Sequence, residues 1–249
     1  MKVSIITVTL NSAAFVEDCI QSVISQSYPH IEHIIIDGKS YDQTLDIIKK
    51  YEKNIARCIS ESDKGMYDAI NKGMEIATGD IIGVLNSDDV FYDKDVVASI
   101  VEHMQKTGAE SVYGDLVYVD EHDLNKVERI WKGKPYKRSL FGKGWMPAHP
   151  TFYFKRSVYQ KFGGYETHFY SAADYELMAR YLYLNQVPSA YIPKMMVKMR
   201  SGGQSNSSFK KRFRANRRDY LAMKKNNIPN AFLVAILKPL SKLHQYYRK

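Results

Sequence analysis

Asn86-Ser87-Asp88-Asp89 follows directly on the apolar run Ile81-Ile82-Gly83-Val84-Leu85. A buried strand that ends in adjacent carboxylates holds hard oxygen ligands rigidly at the carboxyl edge of a sheet, which suits a divalent cation bound to substrate phosphates. Acids after a strand also cap helices or face solvent, and Asp93 and Asp95 read as helix-start acids. A second acidic strand end favours the first reading. It is Asp37, after Ile34-Ile35-Ile36, in the run Asp37-Gly38-Lys39-Ser40-Tyr41-Asp42. There Asp42 suits a helix cap, while Asp37 is a carboxylate able to accept a base N–H or a ribose hydroxyl. Gly38-Lys39-Ser40 is not a P-loop, because His33 stands where that motif requires Gly, and no G-x-G-x-x-G follows the first strand.

The elements that must position these residues alternate through the first half. A strand at 3–10 precedes a helix with Phe15, Cys19, Ile20, Val23 and Ile24 on one face, stopped at Tyr28-Pro29. A strand around 33–36, a helix from Asp42, a short strand near 56–60 and a helix over 66–77 follow. The strand 81–85 and a helix over 93–106 complete the half. This order predicts βαβ units and a parallel sheet covered on both faces, with ligands beyond the carboxyl ends of the strands. Thr7–Asn11, Asp37–Asp42 and Asn86–Asp89 all lie at such ends, so one site is expected to collect them. The second half is less regular: a strand over 112–119, a loop from Gly142 to Pro150 and a helix over 174–184. The polar stretch 201–208 then leads to a basic tail.

The chain has 249 residues, 45% hydrophobic and 25% charged, enough for a large domain with an extension. Its two cysteines, Cys19 and Cys58, are far apart and lack metal-like spacing, so two buried thiols are expected. The N-terminus enters a strand pattern with no basic n-region, which predicts no signal peptide and a cytoplasmic location. No apolar run reaches the roughly 20 residues of a membrane span.

The motifs in order are Thr7-Val8-Thr9-Leu10-Asn11, Asp37-Gly38-x-Ser40-x-Asp42, Asp63-Lys64-Gly65-x-Tyr67-Asp68-Ala69-x-Asn71-x-Gly73, Asn86-x-Asp88-Asp89 and Ala173-Asp174-Tyr175-Glu176-Leu177. Together they resemble family 2 inverting glycosyltransferases of bacterial surface-polysaccharide assembly, over about residues 1–205. The resemblance implies an α/β GT-A fold, Rossmann-like, with a mostly parallel sheet flanked by helices and a basic helical C-terminal extension (206–249). It implies a nucleotide-sugar donor, most often a UDP-sugar, and a glycan or polyprenyl-diphosphate-linked acceptor. Thr7, Thr9, Asn11 and Asp37 would form the nucleoside pocket, with Lys64 and Asn71 as further donor contacts. Asn86, Ser87 and Asp88 occupy the D-x-D positions. Asp88 would hold Mn²⁺ or Mg²⁺, and Asn86 in place of the first Asp leaves more of the coordination to the diphosphate. Asp174 matches the general base. Its usual acidic neighbour is replaced by Ala173, and a helix N-cap is the alternative reading. Trp145 and His149 resemble the acceptor or diphosphate side, with core packing as the alternative, and Gly203 and Ser205 a closing loop.

Two other classes compete. A sugar-phosphate nucleotidyltransferase wants a Gly-rich basic loop after the first strand, where Asn11-Ser12-Ala13-Ala14 stands. A noncatalytic sugar- or nucleotide-binding protein would not need Asp37, Asp88 and Asp174 together. The net charge of +9 is concentrated late: from Lys198 onward there are fourteen Lys and Arg against the single acid Asp219. The remaining body is mildly acidic, which speaks against nucleic acid as a partner. The tail, with the apolar run Phe232 to Leu237, suggests peripheral docking on the anionic inner face of the cytoplasmic membrane. A helix packed on the domain is the competing reading.

Overall fold

The computed structural model describes residues 1–202 and 209–237. Strands β1 (Val3–Thr9), β2 (Ile31–Asp37) and β4 (Ile81–Val84) are almost wholly buried, as strands covered on both faces must be. With β3 (Arg57–Ser60) they form a parallel block in the order β3-β2-β1-β4. Crossovers run through α1 (Val16–Ile24), α2 (Thr44–Lys50) and α3 (Met66–Ile76). The α1 face that is buried carries Val16, Cys19, Ile20 and Val23, the spacing that places residues on one helix side. β3 is the sheet edge, and Cys58 is exposed on it; only Cys19 fits the expectation of a buried thiol.

The second half turns the sheet mixed. After β5 (Val90–Phe91) and α4 (Val96–Thr107) come β6 (Ser111–Val119), β7 (Val127–Trp131), β8 (Tyr153–Lys155) and β9 (Ser189–Arg200). β8 runs antiparallel to both β4 and β6, β7 is antiparallel to β6, and β9 is parallel to β6. Helix α5 (Arg156–Phe162) follows β8. The helix expected over 174–184 is split between α6 (Ala173–Met178) and a π-wound segment, Ala179–Leu184. Gly83 is required in β4, because a Cβ there would lie 1.8 Å from the Tyr153 ring.

Hydrophobic clusters fill both faces of the sheet. On one face Ile6, Ile34, Ile70, Met74, Leu177 and Met178 share a core with Ala222, Met223, Ile228, Val234 and Ala235. The last five belong to α7 (Phe209–Lys225), α8 (Ala231–Leu237) and their connection. The helices beyond the boundary expected at 205/206 are therefore packed into the same core. Lys225 pairs with Glu166 and, at 3.2 Å, with the buried Glu176; Asn226 Nδ2 donates to Glu176 at 3.3 Å.

Candidate active site

The carboxyl ends of β1, β2 and β4 meet, as the motif positions require. Gly38 N donates to Thr9 O at 2.8 Å and Asn11 N to Ser40 Oγ at 2.8 Å, while Asn11 Oδ1 accepts from Tyr41 N at 3.0 Å. Asn11 adopts φ 51°, a left-handed conformation that Asn tolerates and that turns the chain from strand to loop. Ser87 Oγ bonds Ser12 Oγ at 2.9 Å, tying the third strand end to the first.

Within this cluster the expected residues divide. Thr9 Oγ1 and Asn86 Oδ1 are buried and make no hydrogen bond among the described residues, so both retain capacity for a ligand. Asp37 is fully buried and accepts from Ser40 N at 2.9 Å, Ser40 Oγ at 2.5 Å and Ser60 Oγ at 2.6 Å. A carboxylate offers about four acceptor sites, and here most hold the turn. Thr7 does not reach the crevice: it is fully buried, with its hydroxyl 3.0 Å from His33 Nε2. Asn71 also lies apart from the donor side. Its Oδ1 accepts from Tyr165 N and its Nδ2 donates to Tyr165 O, both at 2.8 Å. Lys64 is exposed at the start of α3, where its N–H donates to Asp68. Asp42 accepts from Thr44 and Ala13 and so ties the turn ahead of α2, but the α2 N-cap is Gln43, one residue beyond the cap expected at Asp42.

Asp88 and Asp89 have different environments. Asp89 is fully buried; burial, then the neighbouring Asp88 charge, push its carboxyl well above the usual range, and Asn86 Nδ2 and Arg200 N donate to it. Asp88 is partly exposed and raised by burial, with Arg200 opposing the rise. A cation would relieve both. Asp88 and the unpaired Asn86 Oδ1 are hard oxygen donors, but no cluster of three or more His, Cys, Asp or Glu exists among the described residues. That donor set fits a cation whose remaining ligands come from a substrate diphosphate, as Mg²⁺ and similar ions accept.

Arg200, which the sequence reading missed, organises this loop from the end of β9. Its guanidinium donates to Asp88 O at 2.7 Å, Glu121 O at 3.0 Å and the Asp18 carboxylate at 2.5 Å. Sequence offered no signal for it, since β9 meets β5 and β6 only through tertiary pairing.

A second group surrounds Asp174. The helix N-cap is Ala172, so Asp174 lies inside the first turn of α6 and accepts from Tyr175 N at 2.7 Å. His149 Nε2 is 2.9 Å from the Tyr165 hydroxyl, and Tyr67 packs on Tyr165 with ring centres 5.1 Å apart. Burial raises the Tyr67 and Tyr165 hydroxyls well above their ordinary range, with the Asp174 charge next in size. Burial lowers His149 and the Asp174 charge opposes it, leaving a neutral imidazole at pH 7. Tyr67 lies within the Asp63–Gly73 motif, which gave it no role, and Tyr165 carried no sequence signal. Trp145 is half-buried against Tyr113, with ring centres 5.9 Å apart. That favours its packing reading. Tyr170 is exposed with φ 49°, ψ −121°, and Arg218 of α7 lies 4.2 Å over its ring. Gly203 and Ser205 lie outside the described residues.

The loop before α3 joins the two groups. Asp63 Oδ2 lies so close to Gly38 that a Cβ there would stand 2.6 Å away, and four residues on Tyr67 faces Asp174 and Tyr165.

Residues 4–163 match the family described as Glycosyl transferase family 2. An uncharacterized glycosyltransferase of Mycobacterium tuberculosis is 36% identical over 181 residues, covering 72% of this chain and 68% of that protein. The putative teichuronic acid biosynthesis glycosyltransferase TuaG of Bacillus subtilis is 39% identical over 107 residues, 42% of each chain. Among solved structures, S. aureus TarS 1–349 in complex with UDP-GlcNAc superposes with TM-score 0.71 at 16% identity, covering 99% of this chain and 73% of that one. A mannosyltransferase from Pyrobaculum calidifontis with GDP-Man and Mn²⁺ gives TM-score 0.67 at 18% identity, covering 98% and 70%. The strand-end cluster and the sheet thus define a glycosyltransferase of the GT-A fold. The chain belongs to glycosyl transferase family 2.

Proposed function

We propose that this protein is an inverting hexosyltransferase. It moves a sugar from a UDP-sugar to a hydroxyl of a glycan or polyprenyl-diphosphate-linked acceptor, in the cytoplasm, during bacterial polysaccharide biosynthesis. The observation that carries the reading is the convergence of Thr9–Asn11, Asp37–Ser40 and Asn86–Asp88 on one sheet edge, joined through Asp63–Tyr67 to Asp174. TuaG, named for teichuronic acid biosynthesis, and TarS, solved with UDP-GlcNAc, support the acceptor and donor classes.

Thr9 Oγ1 and the Asp37 turn receive the nucleoside, and Lys64, exposed ahead of α3, is a further donor contact. Asp88 and Asn86 Oδ1 would hold Mn²⁺ or Mg²⁺, which would neutralise charge on the departing diphosphate. Asp174 takes the proton of the acceptor hydroxyl as it attacks C1. Attack from the face opposite the diphosphate inverts the anomeric centre, so an α-linked UDP-sugar gives a β-linkage. Neutral His149 and Tyr165 keep that side of the site polar without a competing positive charge.

The test is release of free UDP from a panel of UDP-sugars, with GDP-mannose alongside, in the presence of Mn²⁺ or Mg²⁺ and lipid-diphosphate-linked GlcNAc or GalNAc. Asp88→Ala is expected to abolish turnover. Wild-type activity undiminished by EDTA, or full activity of the variant, removes the metal assignment. Release of pyrophosphate from UTP and a sugar 1-phosphate, with no UDP released from the UDP-sugars, would make the protein a nucleotidyltransferase.

A further inference from the structure

We propose that the outer faces of α7 and α8 form a docking surface for an anionic lipid bilayer, which holds the enzyme on a membrane without crossing it. Helix α8 contains no charged residue, yet only part of it is covered. Val234 and Ala235 are buried against the domain, while Phe232, Leu233 and Ile236 are 70%, 54% and 51% exposed. Phe232, Leu233 and Ile236 fall at i, i+1 and i+4, so they share one helix face. Tyr220 meets Phe232 edge-on at 6.2 Å, which brings α7 alongside, and Leu221, 43% exposed, extends the apolar surface. A contiguous patch of large apolar side chains at a surface marks an interaction site.

The flanking charge identifies the occupant. Arg217 and Lys224 lie four residues before and three after Leu221, on the same side of α7, both exposed and without an ion pair among the described residues. Lys225, by contrast, is committed to Glu166 and Glu176. Beyond α8 the sequence continues with Lys238, Lys242, Arg248 and Lys249 and no acid. A second copy would set one basic surface against another, and like charges across an interface oppose association. Anionic headgroups complement the basic rim, and the acyl boundary receives Phe232, Leu233 and Ile236. No helix among the described residues is long and apolar enough to span. Arg218, next to Arg217, stacks on Tyr170, four residues before Asp174, so α7 carries the surface close to the base.

The experiment is co-sedimentation of the full chain with vesicles of phosphatidylcholine alone or with added phosphatidylglycerol, at low and physiological salt. No substrate is present, so the outcome is independent of the donor assignment. Binding is expected to the anionic vesicles and to weaken with salt. Arg217→Gln with Lys224→Gln should weaken it about 25-fold, from roughly 1 kcal/mol per basic residue. Phe232→Ser with Leu233→Ser should weaken it at least about tenfold, with only the small loss of melting temperature that removing the Phe232–Tyr220 contact brings. No binding to either vesicle, binding indifferent to phosphatidylglycerol, or binding unaffected by the apolar substitutions overturns the proposal. So does a sedimenting dimer that the apolar substitutions dissociate.

Discussion

Asp174 is the residue whose chemistry is most exposed to test. Its carboxylate accepts a backbone N–H at the start of α6, and Tyr67, Tyr165 and His149 all feel its charge. With Ala173 beside it, no adjacent acid can take over a lost base. Asp174→Asn preserves the shape and the hydrogen bond from Tyr175 N. Turnover is expected to fall about 10²–10⁴-fold while UDP affinity by calorimetry stays at the wild-type value. Near-wild-type kinetics, or lost UDP binding, would assign Asp174 a structural or donor-binding role instead. Arg200 shows the complementary case of a residue that acts through others. It fixes the main chain of Asp88 and a carboxylate oxygen of Asp89, the kind of outer support that would keep Asp88 aimed at the cation proposed for it.

At the scale of elements, the amide of Asn71 joins α3 to the segment before α6, beside the packing of Tyr67 on Tyr165. Both its ends close on Tyr165, and Gly164 is needed there, since a Cβ would stand 2.4 Å from Asn71 Oδ1. Tyr165 in turn holds His149. Asn71→Ala leaves the Tyr165 N–H and C=O without these partners and is expected to cost about 1–3 kcal/mol, read as a lower urea midpoint with unchanged slope. If Asn71 were instead a donor contact, the variant would lose UDP affinity at wild-type stability. The α6 segment supplies a second link. Arg180, in its π-wound continuation, is held by Glu176 and reaches the carbonyls of Phe162, Gly163 and Gly164, so the turn after α5 and the helix carrying Asp174 move as one. π-Turns of this kind often mark functional sites.

For the whole molecule, buried His33 and Glu32 are among the groups that make stability fall in acid. Burial pushes His33 down to about 4, so the folded state binds fewer protons than the unfolded chain between pH about 6.5 and 4, and stability falls as pH drops through that window. Burial would raise Glu32, but hydrogen bonds from Lys2, Ser4 and Thr78 overcome it and bring it to about 2. Its contribution is complete above its ordinary value near 4.5 and is lost as pH falls toward 2. Glu32→Gln is expected to remove about 2–3 kcal/mol at pH 7 and to flatten the melting temperature against pH below 4.5; an unchanged slope there would show that Glu32 is not a determinant. Much of this architecture was legible from the chain alone. Apolar runs followed by Asn11, Asp37 and Asn86–Asp89 determined the parallel block and the edge where these residues meet, because strand pattern and βα order fix which ends face the same way. The positions of Asp42 and Asp174 at helix starts were likewise local. What only the tertiary structure decided depends on partners distant in sequence. Thr7 is turned from a ligand group into a partner of His33, and Asn71 into a clamp on residue 165. Antiparallel β8, slipped between β4 and β6, makes the sheet mixed. Arg200 reaches the Asp88 loop from 112 residues away. The basic helices are divided into a face buried in the core and a face left to solvent. Sequence periodicity reports which side of an element is apolar; what covers that side is set by long-range packing, which no local window contains.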